Sequence, residues 1–261
     1  MQGKPENVLG VGSRAEFRAW LEEHAATEGE CWVFAKRSRP GDADERLYYL
    51  DAVEEALCFG WIDSTNAEID GVTMQRFSPR RKNSVWTELN KERVRRLERL
   101  GLMTDAGRAV LPPMEPRSFK VDADVERALK DARVFSKFKR FPALYQRIRA
   151  YNVAFYKNRD KEAYEKALAR LVEKTAKGEM YGEWNDYGRL PPDGLFDRNI
   201  DARAPRDTLA GVEETSVERL GTDELCSMMG NPMESRRLHG FGEDEPESSA
   251  RAGRGGQGGS I

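Results

Sequence analysis

The sequence predicts an α+β fold: a compact mixed N-terminal domain with a small sheet and packed helices, then a helical region and a mostly disordered tail. Three observations predict it. Apolar residues recur at helical spacing in several segments, among them 14–26, 50–59 and 84–100. Two short runs, "CWVFAKRS" and "VTMQRFS", alternate in the manner of strands. Beyond about residue 104 the pattern is helical only, and beyond Trp184 it fades into small and polar residues. The expected divisions are a flexible lead over 1–12, an α+β core over 13–103, a helical region over 104–184 and a tail over 185–261.

Each element has a local cause. Ser13 and Glu16 form a capping box for a helix that buries Phe17, Trp20 and Leu21. "CWVFAKRS" follows as a partly covered strand and "RPGDADER" as a loop. In "LDAVEEALCFG" the stripe Leu50, Val53, Leu57 is apolar, Glu54 and Glu55 are expected to face water, and Gly60 stops the helix. "WIDS" reads as a tight connection. An Asp-Gly turn introduces the strand "VTMQRFS", and Pro79 ends it by lacking a backbone donor. The next helix is expected from about Ser84 to Leu100, capped by Ser84 or Asn83, with Leu89, Arg93 and Leu97 on its inner side and Gly101 as its stop. "PPMEP" is a hinge. Helices then follow in "DADVERALKDA", "FPALYQRIRAYNVAFY" and a last segment capped by Asp160, which packs through Leu168, Leu171 and Val172.

The chain has 261 residues and 39% hydrophobic content, enough to bury a real core. Its formal net charge of -2 does not resemble a generally basic nucleic-acid-binding protein. No run approaches the roughly 18 apolar residues of a membrane span, and the start lacks the apolar core of a secretory signal. The expectation is a soluble cytoplasmic protein without an integral membrane segment. Cys31, Cys58 and Cys226 are odd in number and widely separated, which argues for reduced thiols rather than a disulfide framework or a zinc cluster. Only His24 and His239 are present, and no glycine-rich loop or nucleophile elbow occurs, so neither a cofactor nor a metal is expected. The tail over 193–261 carries 14 Asp/Glu against 8 Lys/Arg, and its "RAGRGG" is a weak hint of RNA contact.

Charge concentrates elsewhere: residues 75–99 hold nine Lys/Arg and three Asp/Glu. Arg76, Arg80, Arg81 and Lys82 stand just ahead of a helix start, where forked guanidinium donors and free backbone donors together can hold phosphate, sulfate or carboxylate. Ser84 can add a hydroxyl contact or simply cap. Arg93, Arg95, Arg96 and Arg99 can equally pair with internal carboxylates, and Arg80–Lys82 can equally be solvated. Trp61 reads as a pocket wall or a core seal, and Asp63 as an orienting group for an arginine or an organiser of its own turn. The leading expectation is a non-catalytic protein that binds a small anionic ligand or an acidic protein surface. A metal-independent enzyme using Asp63 on a small anionic substrate, and a nucleic-acid-binding protein, are the alternatives.

"WLEEHAA", "AVEEALCFGWIDS" and "QRFSPRRKNSVWTELNKERVRRLERLGLM", with "YNVAFYKNRDKEAYEKALARLVEKTAKGEMY" further on, resemble the bacteriocin-protection family, also called YdeI/OmpD-associated, over roughly residues 13–181. The resemblance implies an intracellular alpha-and-beta protein involved in tolerance of bacteriocins or antimicrobial peptides, a form of stress protection. It places Trp61, Asp63, Arg76, Pro79, Arg80, Ser84, Trp86 and Asn90 on characteristic positions without giving any of them a catalytic role. Ser64 through Glu68, Tyr164 and Lys166 depart from the family pattern, since lysine keeps charge but not the arginine fork.

Overall fold

A computed structural model describes residues 5–38, 46–82 and 84–190. It is α+β: a four-stranded mixed sheet with helices packed on it, continuing into a helical layer. In chain order the elements are β1 (Val8–Leu9), α1 (Arg14–His24), β2 (Cys31–Val33), α2 (Tyr49–Cys58), β3 (Trp61–Ile69), β4 (Val72–Pro79), α3 (Glu88–Arg99), α4 (Asp105–Ala109), a single 3₁₀ turn (Pro116–Ser118), α5 (Ala123–Asp131), α6 (Phe135–Phe138), α7 (Ala143–Tyr156) and α8 (Lys161–Lys177). The sheet order is β1-β2-β4-β3, parallel between β1 and β2 and antiparallel elsewhere.

The capping box at α1 forms as the residues predict: the Glu16 amide donates to Ser13 Oγ, and the Gly12 amide donates to the Glu16 carboxylate. Phe17 and Leu21 are buried, with Phe17 against Phe77 of β4. Asp160 caps α8 by accepting from the Ala163 amide, and Gly178 ends that helix in the left-handed region at φ 76°. Asp70 and Gly71 both take positive φ, the conformation a two-residue hairpin turn requires, so the Asp-Gly pair joins β3 to β4.

Several expectations are corrected. "WIDS" is no tight connection: it opens β3, a nine-residue strand. Its alternation was hidden because its covered face carries the polar Asp63 and a bulge interrupts the register between Asp63 and Asn66. Residues 7–9 of the supposedly flexible lead join the sheet, β1 pairing with β2 and the Trp32 amide donating to the Asn7 carbonyl; two apolar residues are too few to announce a strand. The helix expected from Ser84 starts at Glu88, because Thr87 takes the cap and accepts from the Asn90 amide. Residues 185–190, assigned to the tail, are anchored: Asp186 and Leu190 are buried, and Arg189 reaches Asp51 and Glu54. Asn83, Cys226, His239 and everything else read for 191–261 lie outside the described residues.

There are two apolar cores. One joins α1, α2 and the sheet through Phe17, Leu57, Trp61 and Phe77; the other joins α5 to α8 through Leu129, Phe138, Tyr145, Ile148 and Leu171. α3 belongs to both, giving Val94 and Leu97 to the first and Leu89 to the second. α4 sides with the first core: Gly107 lies so close to α2 that a Cβ there would sit 2.1 Å from the Cys58 carbonyl oxygen. No helix among the described residues is long and apolar enough to cross a membrane.

Between the cores runs a buried charge network. Glu54 and Glu55, expected to face water, are 1% and 2% exposed. Glu54 accepts from Arg14 at 3.0 Å and from Arg96 at 2.9 Å, with Arg189 at 3.2 Å; Glu55 pairs with Arg14 and Arg18. Arg93, 1% exposed, grips Asp186 with both teeth of its fork, Nε to Oδ2 at 2.7 Å and Nη2 to Oδ1 at 2.9 Å. Spacing carried a signal here: Glu54 is four residues after Leu50 and three before Leu57, and Arg93 lies midway between Leu89 and Leu97. Both therefore fall inside the apolar stripes rather than outside them.

Candidate anion site at Arg80

The end of β4 delivers Arg80 to the boundary between sheet and helices. Its amide donates to the Gly60 carbonyl at 2.9 Å, one step beyond the β3–β4 ladder. The side chain does not run out into water but lies against Val85 and Trp86. It is 8% exposed, and its guanidinium carbon lies 3.6 Å from the centre of the Trp86 ring, a close cation–π stack. Nη1 makes one long hydrogen bond, 3.4 Å to the Val85 carbonyl, and Nε has no partner. Burial pushes the guanidinium down to about 10, against the opposing pull of Asp63 and, more weakly, Tyr151 of α7. Arg80 remains a cation at neutral pH.

Asp63 stands near this cation on the core-facing side of β3. It is 6% exposed, and its Oδ2 accepts from the Tyr49 hydroxyl at 2.8 Å. Arg37 stacks on the other side of that partner, 4.1 Å from the Tyr49 ring centre, and donates to Gln75 Oε1 at 2.7 Å and Asn66 Oδ1 at 3.0 Å. Tyr49, Arg37 and Tyr151 were missed by sequence reasoning, since nothing in their local pattern separates them from ordinary core and loop residues.

The remaining expected site residues do not converge. Asp63 is the register partner of Phe77, so Arg76, the next residue along β4, faces the opposite side of the sheet. There its Nε donates to Glu30 Oε2 at 2.6 Å and its Nη1 to Ser64 Oγ, leaving it committed to an internal carboxylate. Arg81 and Lys82 are exposed. Ser84 Oγ donates to the Arg81 carbonyl at 2.6 Å and so braces the loop rather than capping the helix. Trp61 is a core seal at 1% exposure, its Nε1 donating to the Ala25 carbonyl and its ring edge-on to Trp20. Asn90 is also structural: its Oδ1 accepts from Arg93 Nη1 at 2.8 Å. Of the nine expected residues, the geometry brings together Asp63, Arg80 and Trp86, with Arg81 and Lys82 at the adjoining surface. Among the described residues these guanidinium groups share no single hollow: Arg76 is committed to Glu30 on the face opposite Asp63, whereas Arg80 follows the end of β4 at Pro79 and its side chain lies against Trp86. Among the described residues no group of three or more His, Cys, Asp or Glu is arranged to hold a metal.

Residues 9–110 match a family described only as a domain of unknown function (DUF8412), so the chain is similar to that family from β1 through α4. No curated protein and no solved structure matches the chain. The resemblance to the bacteriocin-protection family is overturned by this result: the family found is a different one, and nothing found supports the YdeI/OmpD-associated assignment. The motifs that carried the resemblance have local structural work to do here. "GWID" starts a covered strand with a tryptophan seal, and the arginine-rich stretch builds the internal charge network, so their residue types follow from packing.

Proposed function

We propose that the chain is a non-catalytic binding protein for a small anion of the carboxylate or phosphate class, held by Arg80 over Trp86. The observation that carries this reading is the buried guanidinium with an unpartnered Nε and no carboxylate within ion-pair distance among the described residues. A buried charge without a partner costs several kcal/mol, and an anion from solution relieves that cost where an internal carboxylate does not. Exposed Arg81 and Lys82 favour approach of a negative ligand.

The alternatives have less support. The basic face of α3 is committed internally, Arg93 to Asp186, Arg95 to Glu92 and the Met114 carbonyl, and Arg96 to Glu54, which removes most of the surface a nucleic acid would need. An enzyme using Asp63 would need a free carboxylate oxygen facing substrate, and one of its two oxygens is taken by Tyr49.

Calorimetric titration of the full chain with inorganic phosphate and with succinate tests the proposal. Saturable binding by at least one anion, weakened about tenfold or more in a folded R80Q variant, is the expected result. Equal affinity in R80Q, or no saturable binding of either anion, overturns it.

A further inference from the structure

Helix α7 has two functional faces. Arg147 and Tyr151, one turn apart, look toward α3, where Arg147 Nη2 donates to Glu92 at 3.0 Å. Tyr145 and Arg149, also one turn apart, look the other way, toward α8 and the segment that follows it. Arg149 is 3% exposed, yet its Nε and Nη2 have no hydrogen-bond partner, and no carboxylate among the described residues lies within ion-pair distance of it.

The same chain supplies the comparison. Arg93 is buried to a similar degree, and it uses these same two nitrogens to hold both oxygens of Asp186. In Arg149 the same two nitrogens are buried with no hydrogen-bond partner among the described residues, while aromatic rings lie beside the group: the Tyr181 ring centre is 4.6 Å from the guanidinium carbon and that of Tyr145 5.7 Å. An arginine with aromatic neighbours and a buried, unpaired Nε/Nη2 edge has its planar fork of donors uncommitted, the geometry that two oxygens in its plane satisfy.

A second cation stands beside it. Arg170 of α8 stacks on the same Tyr181 ring at 4.9 Å. Burial, reinforced by Arg170, holds Arg149 below the ordinary arginine value despite the opposing influence of Tyr181, Tyr145 and Glu183. Glu183 is the half-buried carboxylate of this neighbourhood; burial first, then Asp186, pushes its pKa up, while Arg149 opposes the rise. The other nearby carboxylates are paired elsewhere, Asp186 with Arg93 and Glu173 with Lys177, so Arg149 and Arg170 present positive charge that a dianion matches better than a monoanion. The covering segment carries Gly178 at φ 76° and Gly182 at φ 65° on either side of Tyr181, so its path depends on backbone conformations that glycine adopts without strain.

We propose that the Nε/Nη2 edge of Arg149, with Arg170 beside it and Tyr181 over it, is a second oxyanion site that takes a phosphate group, with Glu183 as the internal competitor for that edge. The site is independent of Arg80. It lies on the face of α7 opposite Tyr151, the α7 residue that bears on Arg80.

The test uses the full chain labelled with nitrogen-15, following arginine Nε–Hε resonances, with R149Q serving to assign the Arg149 signal. Titration with inorganic phosphate is expected to shift that signal saturably. R170Q, a change at a partly exposed position that leaves the core intact, is expected to weaken the response about tenfold, and E183Q to strengthen it severalfold. R80Q is expected to leave it unchanged, which separates failure of this site from failure of the Arg80 site. Absence of a phosphate response in both wild type and E183Q overturns the proposal, as does an R170Q titration identical to wild type. A response to acetate as strong as that to phosphate overturns the assignment to phosphate. An Arg149 signal that moves in E183Q alone, with no response to added anion, identifies a permanent internal pair and also overturns it.

Discussion

Replacing Glu54 with glutamine removes the negative charge on which α1, α3 and the 185–190 segment converge. Glu54 is 1% exposed and meets Arg14 of α1, Arg96 of α3 and Arg189, each within 3.2 Å. Burial alone would raise its pKa, but Arg189, Arg14, Arg96 and Arg93 outweigh it and bring the carboxyl down from 4.5 to about 2. At about 1.4 kcal/mol per tenfold, that displacement is worth roughly 3 kcal/mol of folding stability at neutral pH. The figure agrees with the ~3–5 kcal/mol lost when one partner of a buried ion pair is removed. Because the folded-state pKa is depressed, the contribution is fully present above the unfolded value of 4.5 and is lost as pH falls toward 2. Urea unfolding of wild type and E54Q at closely spaced pH values from about 7 down to 3 measures it. The gap in unfolding free energy is expected to be roughly 3 kcal/mol at pH 7 and to narrow steadily below about pH 4.5. A gap below about 1 kcal/mol at pH 7, the scale of an exposed pair, would refute the reasoning; so would a gap of constant size across the whole range.

Two further outcomes follow from packing. G107A is expected to destabilise by about 2 kcal/mol or more, because its Cβ would meet the Cys58 carbonyl oxygen at 2.1 Å; G29A, with open space at the same atom, serves as the control, and urea midpoints compare them. Cys31 and Cys58 are buried, and that burial pushes both thiols up to about 12. A thiol-specific reagent is therefore expected to leave both unmodified in the native chain at pH 8. Both should become modified on unfolding in urea.

The legibility of the fold followed the range of the forces involved. The cap at Ser13, the Asp160 cap, the Asp-Gly turn and the apolar stripes of α1 and α8 depend on residues within a few positions of one another, so the sequence displays them directly. β1 and β3 were harder. β1 is too short to show a period, and β3 carries the polar Asp63 on its covered face and a bulge, so each becomes a strand only when its neighbour supplies the hydrogen bonds. The same limit applied to the site. The concentration of cations over 75–99 is plain in the residues, but it marked Arg76, Arg80, Arg81 and Lys82 alike, and Trp86 entered only through the family resemblance.

What the sequence by itself determined is the class of the fold, the positions of most helices and the presence of an arginine-rich stretch capable of holding negative charge. The tertiary structure alone decided which arginines have internal partners. Strand alternation sent Arg76 to Glu30, and chain return over 93 residues brought Asp186 to Arg93. Arg80 and Arg149 were buried without a carboxylate. The physical reason is that a guanidinium's partner is set by distance in space, on a scale of about 3 Å, whereas a sequence records only separation along the chain.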